Sequence, residues 1–250
     1  MAHFSQILVL DFDGTVCLGD GPVFVYARLI DEALASSSGG HPVGLVGDVV
    51  ARFLGAGEEA DQEPNEMVSA ALELVGSSAD GYAAAEKFAR SLGITDAQLS
   101  AAYTGSRRDL AAGLVETHAP AGLGALLGSL PERVQVVLVT NAPDAGVHQQ
   151  LTTLELAEYF DDVITSAGKP AGMPAVLAAL LEAHQLTDHP ERLLSVGDIW
   201  QNDLEPAARL GAETALIERL AAPGARPTYR AETIEELYPA ITAWASASSA

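Results

Sequence analysis

The residues best equipped for chemistry fall in four short polar clusters, most of them directly behind an apolar run. The first, Asp11-Phe12-Asp13-Gly14-Thr15, ends the run Ile7 to Leu10. In extended backbone the side chains at i and i+2 share a face, so Asp11 and Asp13 project together. Two adjacent carboxylates repel unless a cation or a shared proton relieves them. Gly14 permits a sharp turn with no Cβ in the way, letting amide N–H groups approach a bound anion. The second cluster is Thr140-Asn141, a hydroxyl and an amide closing the apolar run Val134 to Val139. The third is Gly168-Lys169-Pro170, where the proline bars helical geometry for the lysine just before a helical pattern begins. The fourth, Gly197-Asp198-Ile199-Trp200-Gln201-Asn202-Asp203, follows Leu193 to Val196.

Something must bring these clusters together. Ile7 to Leu10, Val134 to Val139, Leu193 to Val196 and Thr214 to Ile217 read as buried strands, with Asp162 to Thr165 as a weaker fifth. Between the later ones lie helical patterns such as Val176, Leu177, Leu180, Leu181 and His184. Strand alternating with helix predicts a parallel sheet covered on both faces. If the strands run parallel, all four clusters meet at the carboxyl rim, where open α/β sheets bind ligands.

About 120 residues separate Leu10 from Val134, far more than a simple crossover needs. Val23, Ala27, Ile30 and Leu34, then Met67, Ala70, Ala71 and Leu74, then Ala85, Phe88, Ala89 and Leu92, stand at helical spacing. The insert is expected to be a small helical bundle, broken by turns at Ser36 to Gly44 and Gly55 to Pro64. The expected division is a sheet domain of residues 1–18 and 113–250 and a helical insert of residues 19–112. The tail from Ala243 to Ala250 has little to bury and is expected to fray.

Composition excludes other classes. Thirteen Lys and Arg against 34 Asp and Glu give a net charge of −21, which repels nucleic-acid phosphates and anionic membranes. No run approaches a membrane span, and Asp11 stops the amino-terminal apolar run too early for a signal peptide, so a cytoplasmic protein is expected. The single Cys17 rules out an internal disulfide and reads as a small buried hydrophobe. The histidines lack metal spacing, which leaves zinc unsupported.

Taken in order, the four motifs resemble those of the haloacid dehalogenase-type hydrolases, in the branch that hydrolyses phosphate esters. The resemblance covers residues 6–16 and about 116–218, and the insert is located like that family's type 1 cap. It implies a Rossmann-like doubly wound α/β core and a cap that closes over the rim. By the same resemblance Asp11 matches the nucleophile that forms an aspartyl-phosphate, and Asp13 the general acid and base. Thr140 and Asn141 match phosphoryl-oxygen donors, with Phe12 and Asp13 in the same phosphate-binding set, and Lys169 the cation joining nucleophile and phosphoryl group. Asp198 matches the carboxylate that completes a Mg²⁺ site with Asp11 and the Asp13 main-chain carbonyl. Gly14 supports the turn, and Asp203 is expected to order Lys169 or metal-bound water.

The implied function is a Mg²⁺-dependent phosphatase acting on a small phosphorylated metabolite. A phosphomutase, a phosphonatase using Lys87 for Schiff-base chemistry, and a noncatalytic binding protein are the alternatives. A signalling receiver module fits poorly, because its phosphoacceptor should end the third strand, whereas Asp161 and Asp162 precede or open it. In the insert, Arg28, Arg107 and Arg108 are candidates for a second anionic group and otherwise solvated charges. Trp200 either lines the substrate entrance or packs. Gly122, Gly124 and Gly128 read as a small-residue helix face.

Overall fold

The computed structural model describes residues 4–36, 42–56 and 63–247. The chain divides into two units, one of residues 1–18 and 118–250 and one of residues 19–117. The return crossing thus lies at His118 and not at residue 113. Its cause is a backbone pair: Leu18 N–H donates to His118 O at 2.8 Å, and His118 N–H to Leu18 O at 3.0 Å.

In the first unit the strands are β1 (Gln6–Leu10), β2 (Val134–Val139), β3 (Asp162–Ile164), β4 (Leu193–Gly197), β5 (Glu213–Ile217) and β6 (Tyr229–Ala231). They form a parallel sheet in the order β3-β2-β1-β4-β5-β6. The chain steps outward from β1 through β2 to β3, then returns to β4 on the other side of β1. The switch point therefore falls between β1 and β4.

Alternation along β1 builds a core on each face. Leu8 and Leu10 pack with Val136, Leu138, Leu194 and Val196 on one side. Ile7 and Val9 pack with Val137, Val139 and Leu193 on the other. The first face is covered by α6 (Leu123–Ser129), α7 (Asp144–Thr153) and α10 (Ile234–Ser246); the second by α8 (Met173–Ala183) and α9 (Glu205–Leu210). Gly124 and Gly128 form the small-residue face: a Cβ on either would stand 3.1 Å from the Tyr159 ring. The expected fraying begins too early, because α10 carries the chain to Ser246 with Trp244 and Ala245 buried against the sheet; residues 248–250 lie outside the described residues.

The second unit is a helical bundle of α1 (Gly21–Ser36), α2 (Leu45–Leu54), α3 (Glu66–Val75), α4 (Gly81–Ser91) and α5 (Asp96–Ala111). Its core joins Val23, Ala27, Ile30 and Leu34 of α1 to Val46, Val49 and Val50 of α2 and to Ala85, Phe88 and Ala89 of α4. On α3 the expected stripe is out of phase by one residue: Val68, Ala71 and Val75 are buried, while Met67 is 53% and Leu74 39% exposed. Of the two expected turn segments, residues 37–41 and 57–62 lie outside the described residues. Asp31, buried on α1, accepts the Val46 and Gly47 N–H groups at 2.9 and 3.0 Å and so caps the start of α2. Burial pushes its carboxyl above the ordinary value against those hydrogen bonds.

Candidate active site

The carboxyl ends of β1 and β4 flank the switch point, and Asp11 and Asp198 stand just beyond them. Asp11 extends the ladder by one bond, its N–H donating to Val196 O at 3.0 Å. The chain then folds sharply around Phe12, whose carbonyl accepts the N–H groups of Thr15, Val16 and Cys17. That turn requires Gly14 at φ +85°, where a Cβ would lie 2.3 Å from Asp198 Oδ2. Only a glycine lets the Asp198 carboxylate sit this close to the turn.

Lys169 is the hub. Its Nζ donates to Asp11 Oδ1 at 2.5 Å, to Asp203 Oδ1 at 2.6 Å and to Val139 O at 2.9 Å, with the side chain only 3% exposed. Burial lowers the pKa of this ammonium, but the Asp11 and Asp203 carboxylates outweigh it and hold the pKa above the ordinary lysine value. Burial likewise pushes Asp11 up to about 7, against the attraction of Lys169 and helped by the charges of Asp203 and Asp13. Three acids and one ammonium in so small a volume are short of positive charge.

Asp203 is placed by a wide π-type turn over Trp200–Leu204. Its Oδ2 accepts Ile199 N–H at 3.1 Å, so both carboxylate oxygens are engaged within the protein. Thr140 is buried behind β2, its hydroxyl oxygen accepting Ala142 N–H at 3.0 Å. Asn141 is turned onto the main chain of Lys169: Oδ1 accepts Lys169 N–H at 2.6 Å and Nδ2 donates to Lys169 O at 3.0 Å. The motif expected to donate to phosphate therefore also fixes the lysine loop, a role that spacing alone does not reveal.

Asp11, Asp198 and Asp203 each offer a carboxylate oxygen within 4.8 Å of one another. Hard oxygen donors, few in number and gathered beyond the carboxyl ends of β1 and β4, fit a hard divalent cation. Since Asp203 already serves Lys169 and Ile199, Asp11 and Asp198 are the pair better suited to hold such an ion.

The chain matches the family model for haloacid dehalogenase-like hydrolases over residues 6–211. It belongs to that family and is a hydrolase. Solved structures similar to this family member include a proposed HAD-hydrolase from Bacillus subtilis bound to magnesium, 21% identical, covering 95% of this chain and 99% of that one at a TM-score of 0.55. A predicted phosphoglycolate phosphatase from Haemophilus somnus is 17% identical over 96% and 99% of the two chains, TM-score 0.55. A proposed β-phosphoglucomutase from Thermotoga maritima is 18% identical over 94% and 98%, TM-score 0.57. No curated protein matches the chain. At these identities the solved structures establish the fold.

Other candidates land elsewhere. Trp200 packs on Leu204, Leu216 and Ala225. Cys17 is buried, as a small hydrophobe would be. Within the helical unit Arg108 is 80% exposed and Arg28 53%, both near Asp109. Arg107 is buried instead, its guanidinium 5.4 and 5.2 Å from the ring centroids of Tyr82 and Tyr103. Lys87 lies on the solvent face of α4, 3.3 Å from Ser77 Oγ. Among the described residues no helix is long and apolar enough to cross a membrane.

Proposed function

We propose that this hydrolase is a Mg²⁺-dependent phosphatase that cleaves a small phosphate monoester through an aspartyl-phosphate, in the cytoplasm and without nucleic-acid or membrane partners. The observation that carries the reading is the buried ammonium of Lys169 between Asp11 and Asp203, beside Asp198, at the sheet's switch point. A permanent cation there suits an anionic group brought against a carboxylate.

In this reading an Asp11 oxygen attacks phosphorus, the bond from phosphorus to the ester oxygen breaks, and Asp13 gives its proton to the departing alkoxide. Asp13, now a base, takes a proton from the water that attacks the same phosphorus, which frees Asp11 and inorganic phosphate. The Thr140 O–H binds a phosphoryl oxygen, and the Lys169 ammonium, whose three N–H groups hold Asp11, Asp203 and Val139, draws the phosphoryl group by its charge, with the Asn141 and Phe12 to Gly14 segments framing it. Mg²⁺, held by Asp11, Asp198 and the Asp13 carbonyl, would neutralise phosphoryl charge, the main requirement of phosphoryl transfer. The helical unit is the cap inserted after β1. Schiff-base chemistry gains no support, because an activated lysine needs a desolvated or cationic setting and Lys87 is exposed.

The test is phosphate release from p-nitrophenyl phosphate with Mg²⁺ and with EDTA, followed by a panel of phosphorylated metabolites. Mg²⁺-dependent release that Asp11→Asn abolishes is expected. Wild-type rates in that variant would remove Asp11 as nucleophile, and isomer exchange without net release would favour a mutase.

A further inference from the structure

Ser195 is the one polar side chain of β4, and it is completely buried. It pairs in register with Val9 on one side and Thr214 on the other, on the sheet face lined by Val9 and Leu193. A hydroxyl in such surroundings is costly unless it is hydrogen-bonded. Here the Oγ–H donates to the main-chain carbonyl of Asp203 at 2.7 Å.

That bond reaches the middle of the site in two steps. Asp203 follows Ser195 by one strand end and one wide turn, and its Oδ1 is the second carboxylate acceptor of Lys169. The residue two further along β4, Gly197, meets the same side chain: a Cβ there would stand 2.5 Å from Asp203 Cβ. Ser195 therefore holds the Asp203 backbone while Gly197 leaves room for its side chain. Asn141 fixes the main chain of Lys169 from the other direction. Besides its direct bonds to Asp11 and Val139, the ammonium is thus located by two indirect anchors, Ser195 through Asp203 and Asn141 through the Lys169 main chain, of which only Asn141 belongs to the four motifs.

We infer that Ser195 is a positioning residue for Lys169: its hydroxyl fixes the turn that sets the Asp203 carboxylate against the ammonium, and so sets the ammonium against Asp11. The kinetic consequence rests on the phosphatase reading; the positioning itself does not.

The chain has two lysines, Lys87 and Lys169, so selective ¹⁵Nζ-lysine labelling gives a spectrum with two assignable ammonium groups. In the full-length wild type, Lys169 is expected to show a slowly exchanging ammonium signal and the exposed Lys87 to exchange fast. Ser195→Ala is expected to speed exchange at Lys169 at least roughly tenfold and to shift its resonance, because a main-chain anchor of Asp203 is gone. On p-nitrophenyl phosphate the same variant should lose roughly three- to tenfold in kcat with KM nearly unchanged. Ser195→Thr, which keeps the hydroxyl, should restore both. If the alanine protein does not fold, Ser195→Cys, a weak donor of similar size, is read the same way. An unaltered Lys169 signal in the variant overturns the inference whatever the rate does, and so does a wild-type Lys169 that exchanges as fast as Lys87. An absence of phosphatase activity bears on the proposed function alone, since the ammonium spectrum needs no substrate.

Discussion

The side-chain amide of Asn141 grips the main chain of Lys169 at both ends, accepting its N–H at 2.6 Å and donating to its carbonyl at 3.0 Å. One residue thereby ties the end of β2 to the loop that carries the ammonium. Asn141→Ala should lower phosphate release about tenfold, on the scale of two lost hydrogen bonds at a partly exposed site. Steady-state kinetics checks this; a variant with wild-type kcat and KM would show that the loop holds its shape unaided.

Lys169 is the only cation hydrogen-bonded to Asp11 or Asp203 among the described contacts. Lys169→Met leaves two buried carboxylates facing each other, and breaking a buried pair in this way costs about 3–5 kcal/mol. Urea unfolding at pH 8 should show a loss of that order, smaller at pH 5, where Asp11 is protonated. Equal losses at both pH values would mean that Asp11 does not respond to its surroundings as described.

The folded Asp11 titrates near 7 against 3.8 for an ordinary aspartate, with burial the leading cause. Between about pH 4 and about pH 7 the folded chain thus binds more protons than the unfolded one. The contribution of this group to stability therefore falls as pH rises through that window. Melting in EDTA should reveal this decline on comparing Asp11→Asn with the parent. Mg²⁺ prefers the ionised carboxylate, so its stabilising effect should grow as pH passes 7. A Mg²⁺ effect of constant size from pH 5 to pH 8 would contradict both statements.

Gly14→Ala places a methyl 2.3 Å from Asp198 Oδ2 at a positive φ. The backbone strain alone is worth about 1–2 kcal/mol. The displaced carboxylate should raise the Mg²⁺ concentration needed for half-maximal activity roughly tenfold, as read from a Mg²⁺ titration. An unchanged Mg²⁺ requirement would separate Asp198 from the metal.

Much of this architecture was legible in the chain because buried parallel strands are nearly continuous apolar runs, as at Val134 to Val139. The sixth strand was not: Tyr229–Ala231 is a three-residue edge strand, partly exposed, with no run to notice. On α3, apolar residues occupy two adjacent phases, and periodicity cannot tell Met67 and Leu74 from Val68 and Val75 until the neighbours are known. In the sheet unit Asp11, Lys169, Asp198 and Asp203 come together, as the parallel order of the runs they follow predicts. What could not be read was the bonding beneath them. The Asn141 clamp and the Ser195 anchor join residues whose separation along the chain carries no period, and a serine in a strand resembles any other. The burial of Arg107 was hidden in part for the same reason: Tyr103 lies one turn earlier on α5, but Tyr82 on α4 is 25 residues away along the chain.

The backbone pair between Leu18 and His118 makes the helical unit a detour that leaves and rejoins the sheet unit at a single point. Strand order and both apolar layers are complete without a contribution from the detour. With the two ends of the detour paired on adjacent backbone, a change of length or sequence between them leaves every strand and both apolar layers where they are.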